Sequence, residues 1–155
     1  MIGKLITKIF GTASDRQIKK LMPLVEEING IFEDLKGLTD EELAAKTTEF
    51  KEYINEKAEP ARSQMREIRE MMEQSEDPEE YTAMAGRISD LEEEEYALEQ
   101  EALNDLMTAA FAVVKETCRR LVGKEFVLTG NKTTWNMVPY DVQLLGAIVL
   151  HKGMI

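Results

Sequence analysis

The most constraining feature of this 155-residue sequence is a stretch of more than forty residues that offers a helix every reason to start and almost none to stop. Asp77 is placed to cap it, Pro78 suits a first helical position, and Glu80 follows three residues after the cap. Beyond Arg87 there is no Pro or Gly until Gly123, and Gly86 is the single weak point. Tyr81, Met84, Ile88, Leu91, Leu98, Ala102, Leu106, Ala110, Val113, Val114 and Leu121 recur with helical drift along one side. At about 1.5 Å per residue an unbroken helix of this length approaches about 65 Å, longer than a compact domain of this size can bury. The segment is therefore expected to project as one arm of an antiparallel helical hairpin or to break near Glu92 to Glu95.

The residues before it carry three more helical patterns. Residues 1–10 set Ile2, Leu5, Ile6, Ile9 and Phe10 at helical spacing, with Lys4 and Lys8 on the other side and Gly11 as a stop. Two readings of this cationic amphipathic helix stay open: its apolar stripe docks on the rest of the protein, or it lies in a membrane interface with the lysines near anionic headgroups. Ser14 and Gln17 form a capping-box pattern ahead of Ile18, Leu21, Met22, Val25, Ile28, Phe32 and Leu35, with Pro23 inside expected to kink or split the helix. Gly37 closes that element. Thr39 with Glu42 opens a further helix bearing Leu43, Thr47, Phe50 and Ile54. Pro60 biases Glu59 away from helical geometry and is expected to start a new helix through Met65, Ile68 and Met71 or Met72 to Gln74.

After Gly123 the texture changes. Phe126 to Thr129, then Gly130 and Asn131, then Thr133 to Trp135 read as a β-hairpin with a two-residue turn at Gly130-Asn131. Pro139 precedes an apolar run, Val142 to Leu150, that reads as a buried helix; the residues after it read as a cut in a longer chain. The fold class is thus mainly α with a small β-hairpin near the C-terminus.

Charge and rare residues narrow the function. The net charge of −11 argues against a sequence-wide grip on nucleic acid. The charge is uneven: residues 1–25 carry Lys4, Lys8, Arg16, Lys19 and Lys20 against Asp15 alone, whereas Asp40 to Glu101 holds 21 acidic and 7 basic side chains. With Cys118 and His151 as the only thiol and imidazole, no internal disulfide, CxxC centre or multi-His metal site can form, and a reducing compartment such as the cytosol is the natural setting. Both are expected to be structural or solvent-facing, and no metal site is expected. The Glu92 to Glu95 run lacks the alternating turn residues of a Ca²⁺ loop and reads as a solvated helix face. Leu144 to Leu150 is far short of the ~20 residues needed to cross a bilayer. Lys4 and Lys8 interrupt any signal-peptide core, so the first residues are expected to belong to the working protein. Neither GxGxxG nor GxxxxGK[ST] occurs, so these residues hold no phosphate-cradling loop. No hydrolytic activity is expected of them alone.

Three stretches carry a resemblance. GKLITKIFGTASD with LTDEELAAKTTEF near the start, AAFAVVKETCRRLV at 109–122, and YDVQLLGAIVLHKGMI at 140–155 together resemble, in order, the N-terminal region of SecA, the preprotein translocase ATPase family. DVQLLG is specific; LTDEEL alone is largely a capping box. The resemblance implies a parent that is a two-lobed, helicase-like P-loop motor, using ATP with Mg to drive unfolded preproteins through a SecY-type channel. It implies that Gln143 is the adenine-reading glutamine of the Q-motif, since an amide can pair with the N6 donor and N7 acceptor of adenine. Tyr140 would pack on the base, with Met137 and Asp141 nearby. Tight binding of ATP to these residues alone is not expected. The resemblance also turns residues 1–10 towards acidic phospholipid and channel contact through Lys4, Lys8, Ile2, Leu5, Ile9 and Phe10, and implies a cytoplasmic protein peripherally associated with the inner membrane.

Compact family members are shorter at two places, roughly Lys57 to Asp105 and Phe126 to Pro139. The expected organisation is therefore N-terminal amphipathic helices at 1–56, an acidic helical-hairpin insertion at 57–105, and a helix, β-hairpin and Q-motif segment at 106–155 opening the first nucleotide-binding domain. Met65, Met71, Met72, Met84 and Ile88 on the insertion either bury one another between its two arms or form an intersubunit contact. The rival class is a non-enzymatic helical protein–protein interaction or dimerisation module, as a homodimer or with another partner, with the acidic hairpin as its docking surface.

Overall fold

A computed structural model describes residues 13–154 of the chain. Ile2, Lys4, Leu5, Lys8, Ile9 and Phe10, for which a membrane or channel contact is expected, lie outside the described residues. Four helices and one hairpin follow in order: α1 Ala13–Leu35, α2 Asp40–Gln74, α3 Pro78–Leu121, β1 Glu125–Leu128, β2 Asn131–Thr134 and α4 Asp141–His151. None of these helices is long and apolar enough to cross a membrane. The chain divides into two units, Ala44–Leu106 on one side and the flanking residues 13–43 and 107–154 on the other.

In the flanking unit, Leu21, Val25, Ile28, Phe32 and Leu35 form the buried face of α1. They pack with Leu43 at the start of α2, Met107 and Ala112 of α3, and Leu144 and Ile148 of α4. α1 opens at Ala13, so Ser14 lies in its first turn rather than ahead of it. The helix runs through Pro23 without being split. Proline there removes only the bond to the Lys19 carbonyl, while the turns on either side are held by burial of Leu21 and Val25. Thr39 and Glu42 form the expected reciprocal box: the Thr39 amide donates to Glu42 Oε2 at 2.7 Å and the Glu42 amide to Thr39 Oγ1 at 3.1 Å.

An ionic clamp fixes the corner where α1 ends and α2 begins. Glu116 of α3 is fully buried, yet its carboxylate accepts two hydrogen bonds from Arg119 and one from Arg120, each at 2.7 Å. Arg120 also donates to Asp40 Oδ1 at 2.7 Å and to the Leu35 and Leu38 carbonyls at 3.2 and 2.7 Å. The last turn of α1 has no basic residue of its own, so a guanidinium from α3 covers the negative end of its dipole. The hydrogen bonds from Arg119, with those from Arg120, hold the Glu116 carboxyl down at about 2, against an ordinary value of 4.5, despite burial pulling the other way. The Arg120 hydrogen bond likewise lowers Asp40.

In the 44–106 unit, α2 and α3 lie antiparallel. As partner numbers rise along α2 they fall along α3: Tyr53 and Lys57 meet Asp105 and Glu101, Arg62 meets Glu99 and Glu95, and Arg69 meets Glu92. Ala61, Met65 and Leu91 form the buried cluster between them, flanked by Ile68, Ile88 and Leu98. Of the two courses left open for α3, the arm of an antiparallel hairpin is the one taken, and one expectation for α2 fails. α3 does not break at Glu92 to Glu95, because Leu91 is buried and Glu92 and Glu95 are tied across to α2. α2 does not restart at Pro60, and Glu59 is helical. An interior proline costs about 3 kcal/mol, and burial of a Met or Leu offsets about 2 kcal/mol each. Met65 and Leu91 with the Arg62 pairs are enough to carry the helix through. The arms cover Met65 and most of Ile88, while Met71 stays 52% exposed.

Asp77 Oδ1 accepts the Glu79 amide at 2.8 Å and Pro78 is the first helical residue of α3, as the start signals predict. The hairpin departs by one residue. Its strands pair Glu125 with Thr134 through Leu128 with Asn131, so the turn is Thr129-Gly130 rather than Gly130-Asn131. Both turn residues have positive φ, 48° and 83°, as a right-twisted hairpin requires, and at Thr129 this is a strained choice for a β-branched residue.

Two predictions follow from this geometry. Because the folded-state pKa of Glu116 is depressed, its contribution to stability is complete above 4.5 and is lost as pH falls towards about 2. Glu116→Gln should lose about 2 kcal/mol at neutral pH and melt with a flatter acid limb than the parent; parallel acid limbs in thermal melts would count against the clamp. Thr129→Asn should raise hairpin stability by about 1 kcal/mol by relieving the left-handed strain, read from chemical shifts of the strand amides on warming.

Candidate functional site

The entry to α4 is built from a short run of backbone and side-chain constraints. Tyr140 sits at the cap position with extended backbone, φ −81° and ψ 161°. Its amide donates to Gln143 Oε1 at 2.8 Å, and its carbonyl accepts from the Gln143 and Leu144 amides at 2.9 and 3.0 Å. Gln143 thus serves as the third helical residue that reaches back to the cap, a task glutamine and glutamate perform equally. One lone pair of Oε1 is engaged, and among the described residues nothing is hydrogen-bonded to the Nε2 donors.

The helix start is pinned from behind. Asn29 of α1 donates to Asp141 Oδ1 at 3.0 Å, and Lys115 of α3 donates to Asn29 Oδ1 at 2.6 Å while lying 3.8 Å from the same Asp141 oxygen. Lys115 also sits over the Phe32 ring, 5.1 Å from its centroid. Leu144 and Ile148 then anchor the buried side of α4 in the core.

Two clefts flank this entry. One, of about 390 Å³, is lined by Phe111, Cys118, Trp135, Met137, Gln143 and Leu144 among others. The other, of about 580 Å³, is lined by Phe32, Lys115, Arg119, Tyr140 and Asp141, and Pro139 borders both. Gln143 and Met137 therefore share one cleft, and Tyr140, 75% exposed, faces the neighbouring one. Trp135 fixes the rim: its indole N–H donates to the Met137 carbonyl at 2.7 Å, and its ring meets Phe126 edge-on at 6.2 Å. Burial raises the Cys118 thiol above its usual pKa, which keeps it protonated and unreactive at neutral pH.

The chemistry available is recognition. The first cleft offers apolar and aromatic walls with an amide at its mouth, which suits a flat heteroaromatic ring. In the second, Lys115 is held by Asn29 and Asp141, and Arg119 by Glu116. Among the described residues no group of three or more Asp, Glu, His or Cys is arranged to hold a metal ion. Two residues named from the sequence, Gln143 and Met137, are brought to one cleft, whereas Asn29, Lys115 and Trp135, which help to build the surroundings, were not named as site residues. Asn29 and Asp141 are 112 residues apart, so no local pattern announces that pair.

Comparison with known proteins gives the family. The model of the SecA DEAD-like domain matches residues 6–155. The protein translocase subunit SecA of Chloroherpeton thalassium is 48% identical over 153 residues, covering 98% of this chain and 15% of that protein. Its counterpart in Salinibacter ruber is 41% identical over 170 residues, covering 97% of this chain and 15% of that protein. In Prosthecochloris aestuarii the identity is 41% over 157 residues, again 98% of this chain and 15% of the relative. The chain thus spans about 15% of the length of the curated relatives it matches. No solved structure matches it. With a match that runs through both structural units and takes in the cleft that Gln143 borders, the chain belongs to the SecA DEAD-like domain family.

Proposed function

We propose that these residues form the N-terminal part of an ATP-driven protein translocase and supply the adenine-reading edge of its nucleotide site. The observation that carries this is Gln143, whose Nε2 donors have no partner among the described residues and which lines an apolar cleft in a chain of the SecA DEAD-like family. Nε2 would donate to N7 of adenine, and the second lone pair of Oε1 would accept from N6. Met137 and Trp135 would supply apolar walls, and Tyr140 would close over the base from the adjoining cleft.

The residues fit the base and not the phosphates. Neither a GxxxxGK[ST] loop nor a cluster for Mg occurs among the described residues, and Lys115 and Arg119, which line the adjoining cleft, are engaged by Asn29, Asp141 and Glu116. The phosphate groups and Mg would be held by residues beyond these 155, where ATP supplies the driving chemistry. In the whole protein the partners would be a SecY-type channel and unfolded preproteins, with residues 1–10 contributing contact to acidic phospholipid at the cytoplasmic face of the inner membrane. Lys4 and Lys8 are the cations for that contact.

The double duty of Gln143 makes the proposal separable from stability. In the full-length translocase Gln143→Glu keeps the acceptor for the Tyr140 amide and removes the donor for N7, so ATP affinity should fall about tenfold or more while the melting temperature holds. Gln143→Ala should lower both. Unchanged ATP affinity in Gln143→Glu, measured by isothermal titration calorimetry, would remove adenine recognition from this residue. The purified 155-residue chain should show no ATP turnover above buffer in a phosphate-release assay, because the contacts that stabilise a transferring phosphoryl group are absent from it.

A further inference from the structure

The tip of the 44–106 unit carries an apolar cleft of about 440 Å³, lined by Met71, Gln74, Ser75, Glu80, Ala83 and Met84. Along the stem of this hairpin, Lys57, Arg62, Arg66 and Arg69 each meet a glutamate. At the tip that matching stops. From Glu70 to Glu80 the sequence has Glu70, Glu73, Glu76, Asp77, Glu79 and Glu80 and no Lys or Arg. None of the six forms an ion pair among the described residues; Asp77 caps α3, and Glu80 accepts only the Ser75 hydroxyl at 3.1 Å. Met71 and Tyr81, each 52% exposed, bring apolar surface to the same end of the hairpin.

We propose that this tip is a docking site for a cationic amphipathic peptide segment. The charge of the rim selects a cationic occupant, since carboxylates that make no ion pair among the described residues repel one another and gain from Lys or Arg between them. The lining selects an apolar face, and flexible methionines adapt their walls to different side chains. A second copy of this tip is disfavoured by the same charges. A metal ion is disfavoured because these carboxylates form no cluster able to coordinate one. Binding therefore combines burial of one apolar face against Met71 and Met84 with Lys or Arg opposite Glu73, Glu76, Glu79 and Glu80. This proposal does not rest on the nucleotide-site reading.

The test uses the full 155-residue chain and fluorescence anisotropy with three labelled peptides. These are a Lys/Leu peptide patterned as an amphipathic helix, the same composition shuffled so that no face is apolar, and a Glu/Leu counterpart. The amphipathic Lys/Leu peptide should bind, weaken in about 1 M salt as screening grows, and outcompete both others. A tip variant, Glu73→Gln with Glu76→Gln, Glu79→Gln and Glu80→Gln, should weaken it by about tenfold or more. Met71→Ser with Met84→Ser should weaken it similarly. A charge-matched control, Glu41→Gln with Glu52→Gln, Glu93→Gln and Glu94→Gln, should stay within about twofold. Circular dichroism melts confirm that each variant is folded. Equal binding of the shuffled peptide, equal loss in the charge-matched control, or no effect of the methionine changes would overturn the proposal, as would failure of the amphipathic Lys/Leu peptide to bind.

Discussion

Burying a carboxylate away from water is costly unless it is paired, and the corner of the fold around Glu116, which has no exposure, holds because that group is charged and satisfied at once. Arg119 and Arg120 neutralise it from one turn further along α3. Arg120 then reaches Asp40 and the Leu35 and Leu38 carbonyls with its other nitrogens. A guanidinium can make this many directed bonds from one plane; a lysine ammonium in the same place could not cover four acceptors in this fork. The end of α1, the start of α2 and the end of α3 are thereby fixed by a single side chain.

Once that corner is set, α4 has a surface to lean on. Its Leu144 and Ile148 enter the core beside α1, and Asn29 with Lys115 holds Asp141 at its first turn. The Gln143 amide is positioned by capping rather than by the cleft it borders, so its orientation is set before any ligand arrives. Under the proposed adenine reading, such preorganisation would lower the ordering cost of binding and leave discrimination to the Nε2 donors, which have no partner among the described residues.

What could be read from the sequence was whatever is decided within one helical turn or one hairpin. The Thr39 and Glu42 box and the Asp77-Pro78 start were legible because their partners lie three residues apart or fewer. Pro60 was misread because its local signal argues for a restart, while the contacts that carry the helix past it come from the other arm; the same cross-arm contacts decide between the two courses left open for α3 at Glu92 to Glu95, in favour of the hairpin arm. The hairpin turn slipped by one residue because Gly130-Asn131 looks the better turn. The pairing that puts Leu128 opposite Asn131 instead forces Thr129 into the left-handed region. In the candidate site, Gln143, Met137 and Tyr140 were named through a family resemblance; the first two share one cleft and Tyr140 opens on the adjoining one. Asn29 and Lys115 were invisible because their partners lie more than eighty residues away.

The same clamp has a temporal side. Arg120 is made 85 residues after the Leu35 carbonyl that it covers. At about 5–20 residues per second on a ribosome, α1 emerges several seconds before the cation that completes its C-terminal end. During that interval its apolar stripe of Val25, Ile28 and Phe32 has neither α3 nor α4 to lie against. Arg120 therefore closes the end of α1 before its cover is complete, since Leu144 and Ile148 of α4 are made only after it.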